Sequence, residues 1–142
     1  MKRGFTLLEL LIVTVILGIL ATIVVPQFTD ATQETRSTST RVVLRTLRFQ
    51  LERYKFEHQD RYPQLSELWV NLIEQSDPDG TLNPAGKYGG YLVKPPYNPF
   101  TKSFTVVAPG AESTLDGWTY DETNGKLAAV GFDEMTGVYT AP

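Results

Sequence analysis

The chain has 142 residues, 42% of them hydrophobic and 20% charged, with a formal net charge of −3 and no cysteine. That length holds one small domain plus an extended element, and the acidic balance argues against nucleic acid as a partner. The missing cysteines exclude disulfide staples and thiol chemistry. The single histidine, His58, together with the lack of a phosphate-cradling glycine motif, leaves enzymatic catalysis without a foundation.

Lys2 and Arg3 open the chain and Gly4 follows; from Phe5 to Val25 only Thr6, Glu9, Thr14, Gly18 and Thr22 interrupt aliphatic or aromatic residues and Ala21, and the run ends at Pro26. At about 1.5 Å per residue this run is long enough to cross a hydrocarbon core of roughly 30 Å. The positive-inside tendency keeps Lys2 and Arg3 cytoplasmic and directs the rest of the chain outward. Glu9 is the anomaly, because an acid inside a membrane span costs about 2.5–3.5 kcal/mol on insertion scales and so requires a partner. Three readings compete. A secretory signal peptide needs small residues beside a cut near Ala21, where Ile19 is bulky. A plain single-pass anchor explains the length but not the carboxylate. A cut after Gly4 exposes a new α-amino group on Phe5, four residues before Glu9, and so supplies the acid with a counter-ion.

The string Gly4-Phe5-Thr6-Leu7-Leu8-Glu9, followed by an aliphatic helix and Pro26, resembles the prepilin leader of type IV pilins and type II secretion pseudopilins. The resemblance implies a membrane peptidase that cuts between Gly4 and Phe5 and N-methylates Phe5. It also implies that Glu9 of one subunit pairs with the terminal ammonium of a neighbour and pins the register of assembly; breaking such a buried pair costs about 3–5 kcal/mol. Gly18 and Pro26 weaken a helix and are candidate kinks. In the resembling families such pliability lets packed subunits bend or stretch; the alternative is that both only mark bends in an anchor.

From Thr29 to Thr40 the composition turns polar, as a loop or an exposed helix would. A helical pattern then resumes with Val43, Leu47, Leu51 and Tyr54 on one face, widened by Leu44. One long interrupted helix is expected from Phe5 to His58, roughly 80 Å at 1.5 Å per residue, with its outer half packed on a head. Arg41, Arg45 and Arg48 form a basic stripe. Residues 30–61 carry seven basic and five acidic residues, net +2, and residues 62–142 carry four and ten, net −6. Either a basic stem meets acidic heads in lateral packing, or the stripe is a solvated face. His58, at the helix end, reads as a solvated residue or one interacting with the helix dipole.

In the head, Tyr62-Pro63 and Gln64–Trp69 suggest an entry turn and a short helix capped near Ser66, with Leu65, Leu68 and Leu72 inward. Ser76–Gly80 reads as a turn. Gly89–Val93 is a strand candidate, and the proline-dense Lys94–Phe100 is an ordered loop. Phe104–Val107 is a further strand, and Gly117–Asp121 pairs with Lys126–Val130 across Asn124-Gly125. Trp118 and Tyr120 share one face and belong in the core.

The expected fold is α+β: a long N-terminal hydrophobic helix packed on a small antiparallel sheet. Its segments are leader 1–4, transmembrane and filament-core helix 5–28, amphipathic continuation 29–60 and head 61–142. The resemblance implies a filament subunit, foremost the major pseudopilin of a type II secretion system. The alternatives are a surface type IV pilus subunit and, from another class, a membrane-tethered periplasmic binding module. The implied partners are further pilin-like subunits in a homo-oligomeric filament, prepilin peptidase, the inner-membrane assembly platform and membrane lipid, without nucleic acid. The implied location is a single inner-membrane pass with a periplasmic head. No cofactor is expected. Major pseudopilins bind calcium in a loop near the sheet, so the resemblance leaves calcium open here, with Asp116, Asp121, Glu122, Asp133 and Glu134 as candidate acids and no residue-by-residue match to that loop.

Overall fold

A computed structural model describes residues 6–142, giving the backbone alone over residues 23–30. It divides into two compact units, Met1–Thr35 and Arg36–Pro142, and the helix α1 (Leu7–Glu57) contributes to both.

In the first unit, the large aliphatic side chains from Leu7 to Leu20 are exposed all round the helix. The Thr14 hydroxyl donates to the Leu11 carbonyl at 2.9 Å and that of Thr22 to the Ile19 carbonyl at 2.7 Å, so these polar groups are satisfied within the helix. A helix apolar on every face must be buried by something beyond itself. Among the described residues no helix is long and apolar enough to cross a membrane. The described side chains of the apolar stretch stop at Thr22, short of the ~20 residues that a hydrocarbon core demands.

In the second unit, the buried stripe of α1 runs through Ser37, Thr40, Leu44, Leu47, Leu51 and Tyr54 and continues to His58 just past its end, alternating steps of three and four. The polar stretch before it is helical rather than loop. Thr40 donates to the Arg36 carbonyl at 2.8 Å and Ser37 donates to the Gly137 carbonyl, which lets both hydroxyls be buried. The four apolar members of the stripe form one core with Leu68, Leu72, Tyr91, Trp118, Tyr120, Leu127, Ala129 and Phe132.

A 3-10 turn (Leu65–Glu67) leads into the short helix α2 (Leu68–Ile73). Leu68 and Leu72 are buried as the spacing predicts, but Ser66 caps neither element. The Leu65 N–H donates instead to the Glu122 carboxylate at 2.6 Å, so the cap arrives from across the head. The strand expected over Gly89–Val93 shortens to β2 (Tyr88–Gly89), antiparallel to β1 (Gln75–Ser76). Gly89 and Gly90 both take positive φ, and the Leu92 N–H then goes to the Leu72 carbonyl of α2 at 2.9 Å, which ends any ladder.

The second sheet has the order β3 (Val106–Val107), β4 (Trp118–Asp121), β5 (Lys126–Ala129). It is mixed rather than wholly antiparallel: β4 and β5 are antiparallel, while β3 runs parallel to β4 because residues 108–117 carry the chain back before β4 begins. The hairpin loop holds four residues, not two. Asp121 accepts from the Thr123 N–H and the Asn124 side chain, and Gly125, at φ +70°, closes on the Asp121 carbonyl at 2.8 Å. Trp118 and Tyr120 do lie on one buried face, with the Trp118 Nε1–H donating to the Pro96 carbonyl at 3.0 Å and the Tyr120 hydroxyl to that of Pro63 at 2.9 Å. The proline-dense loop is ordered by buried Asn98, whose amide donates to the Gly117 carbonyl at 2.8 Å.

Candidate functional site

Thr6 stands just before α1 and closes a reciprocal cap with Glu9. The Glu9 N–H donates to the Thr6 hydroxyl oxygen at 3.2 Å, while Glu9 Oε2 accepts from both the N–H and the hydroxyl of Thr6 at 3.0 Å. This is a capping box, and its Thr-x-x-Glu spacing was available in the sequence. Reading Glu9 only as a partner for an amine passed over it. The box uses atoms of Thr6 and Glu9 alone, so a cut between Gly4 and Phe5 leaves it whole. Both residues are exposed, and the carboxylate is held at the positive end of the helix. Gly4 and Phe5 themselves lie outside the described residues.

Gly18 sits within the helix, and apart from the adjacent helix backbone no atom of the described residues lies within 4 Å of where its Cβ would stand. α1 is assigned without interruption through Gly18 and Pro26; the side chain of Pro26 is outside the described residues.

The basic stripe divides. Arg48 forms a bidentate pair with the Glu134 carboxylate, both bonds at 3.0 Å, and donates to the Leu127 carbonyl at 3.1 and 2.7 Å. Arg41 donates to the Glu134 carbonyl at 3.0 Å, whereas Arg45 stays exposed. Two of the three arginines therefore fasten the C-terminal segment to α1 within one chain. Because the Arg48–Glu134 pair is about two-fifths exposed, a double-mutant cycle of Arg48→Ala and Glu134→Ala is expected to give a coupling of ~0.5–1 kcal/mol. Arg48→Ala alone should cost ~1–2 kcal/mol, since the Leu127 bonds go as well. Urea unfolding measures both, and a coupling near zero would show that the carbonyl bonds carry the contact.

His58 is not a solvated end residue. It is buried, with its ring stacked on Tyr54 at 3.8 Å. Nδ1 faces the Tyr54 carbonyl at 2.8 Å and therefore donates, and Nε2 lies 2.8 Å from the Ser76 hydroxyl. His58 thus ties the end of α1 to β1 and is spoken for structurally.

The five acids of the head do not converge. Asp116 bonds Ser113, Asp121 the hairpin loop, Glu122 the Leu65 N–H, Asp133 the Met135–Thr136 turn, and Glu134 Arg48. Among the described residues no group of three or more His, Cys, Asp or Glu is placed to hold a metal ion. The Thr136 hydroxyl at 2.9 Å and the Met135 N–H at 2.8 Å hold the Asp133 carboxyl below the usual aspartate range. A carboxyl lowered on folding contributes stability above its unfolded value and loses it as pH falls through the folded one. Acidification from pH ~6 to ~3 is therefore expected to weaken amide protection at Gly137, which bonds the Asp133 carbonyl at 2.8 Å. Thr136→Val should flatten this dependence in hydrogen exchange, and a pH-independent profile in the unchanged chain would refute it.

An N-terminal helix apolar on every face, with a carboxylate in its first turn and a small α+β unit following, defines a pilin-like subunit. Residues 1–25 match the prokaryotic N-terminal methylation motif, and residues 27–134 match the family described as type II secretion system protein G. The chain is 32% identical over 116 residues to the type II secretion system core protein G of Pseudomonas aeruginosa, covering 81% of this chain and 80% of that one. It is 31% identical over 121 residues to that of Dickeya chrysanthemi, covering 84% and 76%, and 30% identical over 145 to that of Klebsiella michiganensis, covering 98% and 94%. No solved structure matches. The chain belongs to the type II secretion system protein G family.

Proposed function

We propose that this chain is the major pseudopilin of a type II secretion system, made as a precursor and used as the repeating structural subunit of a pilus-like filament. The observation that carries this reading is the match of residues 27–134 to protein G directly behind a methylation motif over residues 1–25. A protein G match through the head favours secretion over a surface pilus, because the head is where such subunits differ. It equally disfavours a tethered binding module.

In this reading Lys2 and Arg3 hold the leader in the cytoplasm, residues 5–28 lie in the inner membrane, and residues 61–142 form a periplasmic head. A prepilin peptidase cuts between Gly4 and Phe5 and methylates the new Phe5 amine. An inner-membrane platform then lifts subunits from lipid into the filament. The exposed aliphatic side chains from Leu7 to Leu20 exchange lipid for neighbouring helices, a step driven by close packing rather than by escape from water. Glu9, fixed in rotamer by Thr6, meets the Phe5 ammonium of a neighbour and sets the register. Gly18 and Pro26 allow the packed helix to bend. The chain has no catalytic role in this scheme and acts by polymerising. Mass spectrometry of chain recovered from assembled filaments tests the reading. The expected terminus is N-methyl-Phe5; an intact Met1, or a start near Thr22, overturns it.

A further inference from the structure

We propose that the outer face of α1 is an apolar ridge that seats in a groove on the head of the next copy of this chain. The inference rests on the filament reading above. Val42, Phe49 and Phe56 recur every seven residues and are 61%, 67% and 89% exposed. At about 100° per residue they lie about 180° around the helix from Leu44, Leu47, Leu51 and Tyr54. The face that packs on its own head therefore leaves this one uncovered. Two phenylalanines and a valine in line on a water-facing helix are an interaction surface rather than scattered exposure.

The same unit carries a matching depression. Leu65, Trp69, Phe104, Val106, Ala108 and Ala111 line an open, mostly apolar groove of about 590 Å³ between the 3-10 turn, α2 and the free edge of β3. The Trp69 Nε1–H donates to the Phe104 carbonyl at 2.8 Å, which fixes one wall against the other. Charge fits as well. Exposed Arg45 flanks the ridge, and exposed Glu67 and Glu112 adjoin the groove in sequence. A ridge and its complementary groove at different places on one chain form a heterologous contact. Repeated without closure, such a contact builds an open helical filament, which is why the occupant is a second copy. Aromatic anchors in a desolvated groove are also the residues that dominate interface energy.

Because the chain has no cysteine, a paired substitution reads the contact directly. The full chain carrying Phe49→Cys and Ala108→Cys, assembled with its secretion machinery and oxidised, is expected to give a ladder of covalent oligomers that neither single substitution gives. Phe49→Glu with Phe56→Glu should lower filament yield about tenfold or more, the scale of losing buried aromatic anchors. Its far-UV circular dichroism and melting should stay unchanged, because neither ring belongs to the core. Normal filament yield in that variant, with no ladder from the cysteine pair, overturns the ridge-and-groove contact and leaves the filament reading standing. A product with the mass of a pair with a different pilin-like subunit assigns the ridge elsewhere and also overturns it. An unchanged chain that forms no filament overturns the filament reading, and this contact with it.

Discussion

Glu9→Ala is expected to abolish filament assembly while leaving the Arg36–Pro142 unit folded. Two losses combine in that one change. The capping box goes, at ~1 kcal/mol for a helix start, and the proposed pair with the neighbour's Phe5 ammonium goes, at ~3–5 kcal/mol because the amine is left buried alone. The cap exists in the free subunit as well, so only the lost pair lowers the association constant of each added subunit, by roughly two to four orders of magnitude at about 1.4 kcal/mol per tenfold. The fold of the head is spared, since Glu9 belongs to the first unit and is not a member of the core. Electron microscopy of sheared filaments and melting of the isolated chain are the two readouts. Glu9→Gln separates the contributions: the amide oxygen can still accept from the Thr6 N–H and keep the cap, but the charge is gone. Assembly by the Gln variant at normal yield would show that Glu9 acts as a cap and not as a counter-ion. Thr6→Val completes the comparison, weakening the cap by ~1 kcal/mol with the charge retained.

Trp118→Ala should unfold much of the head at physiological temperature. Trp118 is fully buried on β4, and its indole N–H is satisfied by the Pro96 carbonyl, so the substitution opens a cavity and orphans an acceptor together. Aromatic-to-alanine changes in cores cost ~3–5 kcal/mol, against a total stability of about 5–15 kcal/mol for a domain. Converted at about 4–8 °C per kcal/mol, the midpoint falls by roughly 12–40 °C. Far-UV circular dichroism on heating measures it, and a shift under ~5 °C would mean the site collapses around the smaller residue. Trp118→Phe keeps most of the volume and should cost less than ~2 kcal/mol, the worth of the lost hydrogen bond and a little packing.

Much of this molecule was legible one residue at a time. Val43, Leu44, Leu47, Leu51 and Tyr54 announced a helix face, and that face is the wall of the core. Asn124-Gly125 marked the turn between β4 and β5, although Asp121 and Gly125 stretch it to four residues. The prolines from Pro95 to Pro99 marked an ordered loop, but Asn98, the residue that orders it, carries no local pattern to reveal its burial. His58 read as solvated because it follows a helix and is polar; its burial depends on Ser76 arriving from β1. Glu122 caps the turn at Leu65 from 57 positions away, and Arg48 holds the Leu127 carbonyl from 79.

By itself the sequence determined the N-terminal methylation motif, the apolar run with its acid, the register of α1 and the turn that makes the last hairpin. These depend on backbone propensity and on periodicity over a few neighbours, which every stretch carries within itself. Only the tertiary structure decided the parallel placement of β3, the pairing of Arg48 with Glu134 and the burial of His58. Each satisfies a polar group with a partner remote in the chain, and such partners are chosen by which surfaces the closed core brings within about 3 Å of one another, not by any spacing along the chain.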